Sequence, residues 1–382
     1  MRVLHLTTVA SSLRYLLLAQ LLSQRDAGYD VVAVSAPGPD VAVLEAHGIR
    51  HRALAGSTRG FDLGADVRAL RSFVSIVRQE RPDVVHTHNP KPGVYGRVAA
   101  RVLGVPLVVN TVHGLYAAPD DGLARRAVVY GLEAVAARFS HVELVQNAED
   151  AELMRRTPLA PSAKVRLLGN GVDLDRFRPS SDAARRSARR ELGIGDDAFA
   201  VVAVGRLVAE KGFGELFAAN RAMRVPHVTC VIGPDDLDKA DALTPAEVDR
   251  ARRDGVRFLG HRADVERLLP AFDTFALPSH REGFPRAAME AAASGLPVVA
   301  TDVRGCRQVV DSEVTGLLVP RGDSTALALA LDRLGADPEL RRTFGRAGRA
   351  KAEAEFDEDA VVRRVLDAYA PLGAPCRRPV AA

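Results

Sequence analysis

Short apolar runs bounded by turn residues alternate with helix-period stretches along the chain, a pattern that predicts parallel sheets covered by helices. In the first half Val3–Thr7, Asp30–Ser35, Asp83–His86, Leu107–Thr111 and His141–Val145 read as strands. Their Val and Leu content suits strands buried on both faces. Leu13–Arg25, Leu63–Glu80, Gly93–Leu103 and Leu123–Ser140 repeat apolar residues every three or four positions and read as helices. The pattern then restarts, with strands expected at Phe199–Val204, His227–Ile232, Val256–Leu259, Asp273–Leu277, Pro297–Thr301 and Leu317–Val319. Two α/β domains meeting at a cleft follow, with the boundary in Leu167–Asp173 and the polar stretch Arg178–Arg190. Ligands of open α/β sheets bind beyond the carboxyl ends of the strands, so the residues just after each run are the informative ones.

Composition narrows the classes. The 382 residues are 47% hydrophobic and 26% charged, which fits two globular cores and excludes a disordered or fibrous chain. No apolar window reaches membrane-spanning length and no cleavable leader is visible, so a cytoplasmic location is expected. Cys230, Cys306 and Cys376 are far apart and suggest neither a disulfide framework nor a thiolate metal site. Residues 1–170 carry 20 Lys and Arg against 15 Asp and Glu, whereas the remainder carries 32 against 33. The basic first half is compatible with peripheral docking on the inner face of a membrane or with a phosphorylated acceptor. With no Trp and no aromatic-plus-basic RNA motif, no nucleic-acid partner is expected. A full G-x-G-x-x-G is missing, which counts against a nicotinamide dehydrogenase.

The strongest chemical signal is Leu277–Ala291, a strand, a loop and a helix start. Pro285 suits the first helical position, leaving the amides around Gly283 and Phe284 at the positive end of a helix, a seat for an anion. Glu282 faces that seat, and Glu290, eight residues on, lies just over one turn into the helix. Two such carboxylates can address one extended ligand carrying hydroxyls at both ends. A second segment, Gly205–Gly212, places Arg206 and Lys211 just beyond the first strand of the second domain. An Arg fork and a Lys point charge there suit a diphosphate and its departure; the plainer alternative is a surface ion-pair cluster with Glu210.

Glu282 and Glu290 sit in the context E-G-F-P-x-x-x-x-E-A-x-x-x-G-x-P-V, which resembles the E-x7-E motif of the family-4 glycosyltransferases with the GT-B fold. The resemblance spans nearly the whole chain. It implies two Rossmann-like domains: residues 1–168, with a crossover helix within 358–382, binding the acceptor, and residues 169–357 binding a nucleotide sugar. It implies that Glu282, Gly283 and Phe284 meet the donor sugar and phosphate and that Glu290 takes the ribose. The segment Gly205-Arg206-Leu207 with Lys211-Gly212 resembles the family's G-R-L-x-x-x-K-G signature, whose cations hold the donor diphosphate. His113, ending the Asn110–Gly114 segment, matches a family His beside the donor sugar, and Gly260-His261 stands where relatives hold the base.

The run His86–Gly93 resembles the H-T-H-x-P-K-x-G segment of a subgroup acting in polysaccharide, lipid-linked-sugar and antibiotic assembly, which puts Asn89 and Lys91 on the acceptor side. His86 and His88 share one strand face and could imitate a metal-binding H-x-H, but no further ligand set is visible in the sequence. Asp173-x-Asp175 is read as part of a hinge. One departure concerns the loop expected at Thr7–Arg14, which lacks the glycines many relatives carry; Arg14 and the serines are the substitute donors.

The resulting expectation is a retaining, metal-independent enzyme that moves a hexosyl group from a UDP- or GDP-sugar to a hydroxyl of a small-molecule or lipid-linked acceptor, without a bound cofactor. A nucleotide-sugar hydrolase or epimerase, and a non-catalytic sugar-nucleotide sensor, are the alternatives.

Overall fold

A computed structural model describes residues 1–58, 60, 62–88, 90–117, 121–236 and 239–373. The chain divides into two compact units, 1–169 with 360–382, and 170–359. Each is an α/β layer around a wholly parallel sheet, as the alternating pattern predicts.

The first unit holds seven strands: β1 (Arg2–Val9), β2 (Asp30–Ala36), β3 (Arg50–Ala53), β4 (Val84–His88), β5 (Leu107–Val112), β6 (Val142–Val145) and β7 (Val165–Leu167). Their order is β3-β2-β1-β4-β5-β6-β7. The second unit holds β8 (Phe199–Val204), β9 (His227–Ile232), β10 (Arg257–Phe258), β11 (Thr274–Leu277), β12 (Val298–Thr301) and β13 (Gly316–Val319), in the order β10-β9-β8-β11-β12-β13. In both sheets the order reverses beside the first strand, between β1 and β4 and between β8 and β11. A crevice opens at such a switch point, beyond the carboxyl ends of the strands.

Alternation along the central strands feeds two cores in the first unit. Leu4, Leu6, Val32, Val85 and Val108 face one layer of helices, and Val3, Val31, Val84, Leu107 and Val109 face the other, against Val361, Val365 and Tyr369 of the last helix, Glu358–Tyr369. On that second face the amino-terminal half of the strands is apolar and the carboxyl half is polar. His5, His86, His88 and Thr111 follow Val3, Val84 and Val109 at two-residue steps and are all buried.

Three expectations need correction. The segment Thr7–Arg14 is not a loop: the β-branched run carries β1 to Val9, and helix begins at Ala10 and passes through a π turn at Leu13–Leu17. The polar stretch Arg178–Arg190 is not a linker either. It forms most of the helix Asp182–Leu192, capped by Ser181 and closed by left-handed Gly193. Ala188 and Arg189 are buried on it, and Arg185 donates to the carbonyls of Pro270 and Phe272 and pairs with Asp273 at 2.7 Å. Finally, β3 and β7 were missed because they are short and exposed, with the polar sequence Arg-His-Arg-Ala in β3.

Candidate functional site

In the second unit the loops that leave β8 and β11, the two strands at the switch point, are held against each other. Gly205, Arg206 and the short 3-10 turn Ala209–Lys211 follow β8, and Pro278–Pro285 follow β11. Gly212 has a φ of +70°, and a Cβ there would lie 1.9 Å from the carbonyl oxygen of Pro278. Only glycine lets the two loops approach so closely. The contact is extended by the amide of His280, which donates to the carbonyl of Glu210 at 2.9 Å, and by Arg281, which donates to the Glu210 carboxylate at 3.1 Å. Glu210 is thus the clamp between the loops, rather than the partner of Arg206 and Lys211.

Lys211 and Glu282 meet at the centre of this arrangement. The ammonium donates to Glu282 Oε1 at 2.6 Å, and the carboxylate is largely buried. An ammonium carries three protons and a carboxylate two oxygens, so the pair can orient itself and still address a phosphate with the first member and a hydroxyl with the second. The backbone of Glu282 is pinned from the other side by the helix Arg304–Val309: a Cβ on Gly305 would lie 2.5 Å from the Glu282 carbonyl oxygen. Cys306 beside it is buried, and its thiol is held well above the ordinary range by burial first and then by the Glu282 charge. It acts as a small apolar filler, not as a nucleophile.

Three residues after Glu282, Pro285 is not the first helical residue but the extended residue just before the helix Arg286–Ala293, whose first-turn amides are not closed by a capping side chain. Phe284 packs its ring edge-on against Phe356 at 5.8 Å, and its carbonyl accepts from Asn170 at 3.3 Å. Glu290 lies on the helix, accepts from Arg286 at 3.3 Å, and shares that guanidinium with Glu358, which accepts at 2.9 Å. Burial pushes the carboxyl pKa values of both Glu290 and Glu358 up, against the opposing pull of Arg286.

Arg206 is more exposed and pairs with Asp236, a partner sequence reasoning missed. Gly205 is not forced to be glycine, since a Cβ would sit at ordinary contact distance from Lys211. The close approach falls at Gly233, where a Cβ would lie 1.8 Å from the Gly205 carbonyl. His261 follows left-handed Gly260 and is exposed at the end of the β10 segment.

In the first unit His113 stands immediately after β5. Its Nδ1 lies 3.1 Å from Gln146 Oε1, and its Nε2 lies 3.2 Å from His88 Nδ1. Burial lowers its pKa to about 4, so at neutral pH it is a neutral ring with both nitrogens engaged. Arg14 lies in the π turn and pairs with Asp40 at 2.7 Å, a hydrogen bond that raises its pKa. Lys91 donates to the carbonyls of Thr58 and Gly60 at 3.2 and 2.6 Å and pairs with Asp66 at 2.5 Å. These contacts make it a tie between segments. Asn89 lies outside the described residues.

The structure also brings His5 to His86 and His88, which sequence spacing did not show. One ring nitrogen from each lies within 4.8 Å of the others, close enough for a metal to draw together. The nitrogens of these buried rings are engaged by protein groups instead: His5 by His88 and Gln24, His86 by Tyr369 and Thr111, and His88 by His5 and His113. His5 stands directly opposite His86 in the β1–β4 register, a pairing that no spacing in the sequence signals. Asp173, read as hinge, accepts from the amides of Asp175 and Arg176 and so caps a turn.

Comparison with known proteins agrees with the fold and gives the family. The family model described as Glycosyl transferases group 1 matches residues 184–351, and the one described as Glycosyltransferase Family 4 matches residues 15–176. The chain is 30% identical over 317 residues to the UDP-Gal:alpha-D-GlcNAc-diphosphoundecaprenol alpha-1,3-galactosyltransferase of Escherichia coli, covering 81% of each. It is 36% identical over 305 residues to a D-inositol 3-phosphate glycosyltransferase of Saccharomonospora viridis, covering 75% of this chain and 69% of the relative. Among solved structures, Anabaena Alr3699/HepE in complex with UDP and glucose superposes with a TM-score of 0.81 at 22% identity, covering 97% of this chain and 100% of that one. Among the described residues, no helix is long and apolar enough to cross a membrane.

Proposed function

Because the chain belongs to the family-4 glycosyltransferases, we propose that it transfers a hexosyl group, with retention of configuration, from a nucleotide-diphosphate sugar to an acceptor hydroxyl. The observation that carries the residue assignment is the Lys211–Glu282 pair at 2.6 Å, set at the switch point of the second sheet and followed by a helix start with no capping side chain. In this reading Lys211 and Arg206 neutralise the diphosphate and stabilise it as it leaves. Glu282 accepts from hydroxyls of the sugar, and the amides of Gly283 and Phe284 face the anion. Glu290 takes the ribose, while the turn at Gly205 and the Gly260-His261 segment border the nucleotide.

No carboxylate is assigned as a nucleophile. The acceptor hydroxyl attacks the face the leaving group occupies, its proton passing to the departing phosphate oxygen as the new glycosidic bond forms. No step in this scheme needs a metal ion. The uridine preference is supported by the E. coli relative, named for UDP-Gal, and by the UDP complex of the Anabaena protein. The first unit takes the acceptor, with Arg14, Asn89 and Lys91 on that side and His113 at the ligand-binding end of its sheet. A lipid-diphosphate-linked sugar, the acceptor class in the E. coli relative's name, is the first to test.

The deciding experiment pairs thermal shift with turnover. UDP and one UDP-sugar should raise the melting temperature by mass action, and that sugar should reach a GlcNAc-diphosphate-lipid acceptor with its anomeric configuration kept, even after dialysis against EDTA. Release of free sugar with no transfer to any acceptor tested would replace the transferase reading by a hydrolase.

A further inference from the structure

Four imidazoles of the first unit, those of His5, His86, His88 and His113, belong to one hydrogen-bonded chain that runs from the end of β5 into the core. From Gln146 it passes through His113 and His88 to His5, the His88 Nε2 to His5 Nδ1 distance being 3.0 Å and the His5 Nε2 to Gln24 Oε1 distance 2.7 Å. Gln24 Nε2 donates to the Tyr369 hydroxyl at 3.2 Å. That oxygen lies 2.6 Å from His86 Nδ1, and His86 Nε2 lies 2.7 Å from Thr111 Oγ1. His5, His86, His88, Gln24 and Tyr369 are 0% exposed, so water cannot repair a break.

Proton counting constrains this chain. Between the two glutamine oxygens stand three rings and four hydrogen bonds; each bond needs one proton, and three neutral imidazoles bring three. Either one ring is an imidazolium, or one of the two amides turns its NH2 toward the chain. Burial holds His5 and His113 at about 4 and His88 well below the ordinary value, which favours the uncharged solution. A neutral ring that donates on one side must accept on the other. All four bonds therefore point the same way, and turning the amide of Gln146 or that of Gln24 chooses the direction for every ring at once.

We propose that His88, His5 and Gln24 are positioning residues for His113: through this chain they fix which of its ring nitrogens carries the proton, and so which end of the Gln146 amide is left to meet a ligand hydroxyl. A hydroxyl that accepts from the amide NH2 keeps its own proton aimed elsewhere. One that donates to the amide oxygen does not. This rests on the reading that His113 and Gln146, at the carboxyl ends of β5 and β6, face a bound sugar or acceptor.

The test reads the tautomer directly, in the full chain labelled with 15N-histidine, and separately reads turnover. Wild-type His113 should be a single tautomer, with a nitrogen–nitrogen coupling across the His5–His88 hydrogen bond. His5→Leu should convert His113 to a tautomer mixture and lower kcat about tenfold while KM for the donor stays within twofold. His5→Gln, which keeps one donor and one acceptor, should restore the single tautomer and most of kcat. A wild-type His113 that is already an even mixture, or a His5→Leu protein with the wild-type tautomer, overturns the inference whatever its rate. If His5→Leu does not fold, the wild-type tautomer and coupling decide alone. The tautomer needs no turnover, so absence of glycosyl transfer would count against the proposed function without touching this result.

Discussion

The two units share a strand order and a switch point but fill it in opposite ways. At β1 and β4 the first sheet carries imidazoles, met by the Tyr369 phenol and the Gln24 amide from helices packed on it, all buried, on the face that elsewhere is apolar core. At β8 and β11 the strands themselves are apolar, and the chemistry sits in the loops beyond them as the charges of Arg206, Lys211, Glu210, Arg281 and Glu282. A charge taken into a core costs several kcal/mol unless paired, so a cluster of charges belongs at the rim, where each ion keeps a partner and some water. A neutral hydrogen-bonded chain can be buried, provided every donor finds an acceptor. One topology thus supports a charged loop cluster, the candidate ligand site, in one unit and a neutral hydrogen-bonded network in the other.

The largest expected effect tests the charged side of that contrast. Lys211→Ala and Glu282→Ala should each lower kcat by about 10² to 10³, the cost of deleting one preorganised electrostatic group, while circular dichroism and the melting temperature show the fold intact. Rates close to wild type in both would remove the pair from the site. A smaller loss, about 10- to 100-fold, is expected for Gly305→Ala. Its Cβ must push the Glu282 backbone away, and displacing a catalytic group by about 1 Å costs up to about 10² in rate. Unchanged activity would mean that the position of Glu282 is not rate-determining.

The smallest effect separates the units by pH. Burial lowers the pKa values of His5 and His113 to about 4 from an unfolded value of 6.5. Groups depressed by folding contribute stability above their unfolded pKa and lose it as the pH falls toward the folded one. The first unit should therefore weaken between about pH 6.5 and pH 4. Glu290 and Glu358 are shifted upward by burial, so their contribution has the opposite sign, present at low pH and lost as pH rises through their folded values. Hydrogen exchange followed from pH 7 to pH 5 should show the amides of β1 and β4 losing protection before those of β8 and β11. Simultaneous loss in both sheets would mean that the imidazole chain carries no such penalty.

Much of this was legible because it is periodic or local. The Val-rich runs give β8 and β9 to the residue, and the E-x7-E and G-R-L-x-x-x-K-G segments single out Glu282, Glu290, Arg206 and Lys211 as candidates because each motif is local in sequence. The edge strand β3 escaped notice because an exposed strand need not alternate, and the helix Asp182–Leu192 because its polar face dominates its composition. What pairs with what was hidden. Lys211 and Glu282 are 71 residues apart, and Asp236 reaches Arg206 from another loop.

The sequence by itself determined the class of the fold, the restart of the pattern that makes two units, and the charged residues that are candidates for a phosphate and a sugar. Only the tertiary structure decided that His5 pairs in register with His86, that Tyr369, 283 residues further on, closes onto His86, and that Gly305 rather than Gly205 fixes the position of a carboxylate. The reason is physical. Periodicity and turn chemistry are written in neighbouring residues, but strand register and burial arise when distant segments share one core, and the direction of a hydrogen bond depends on every partner in its chain.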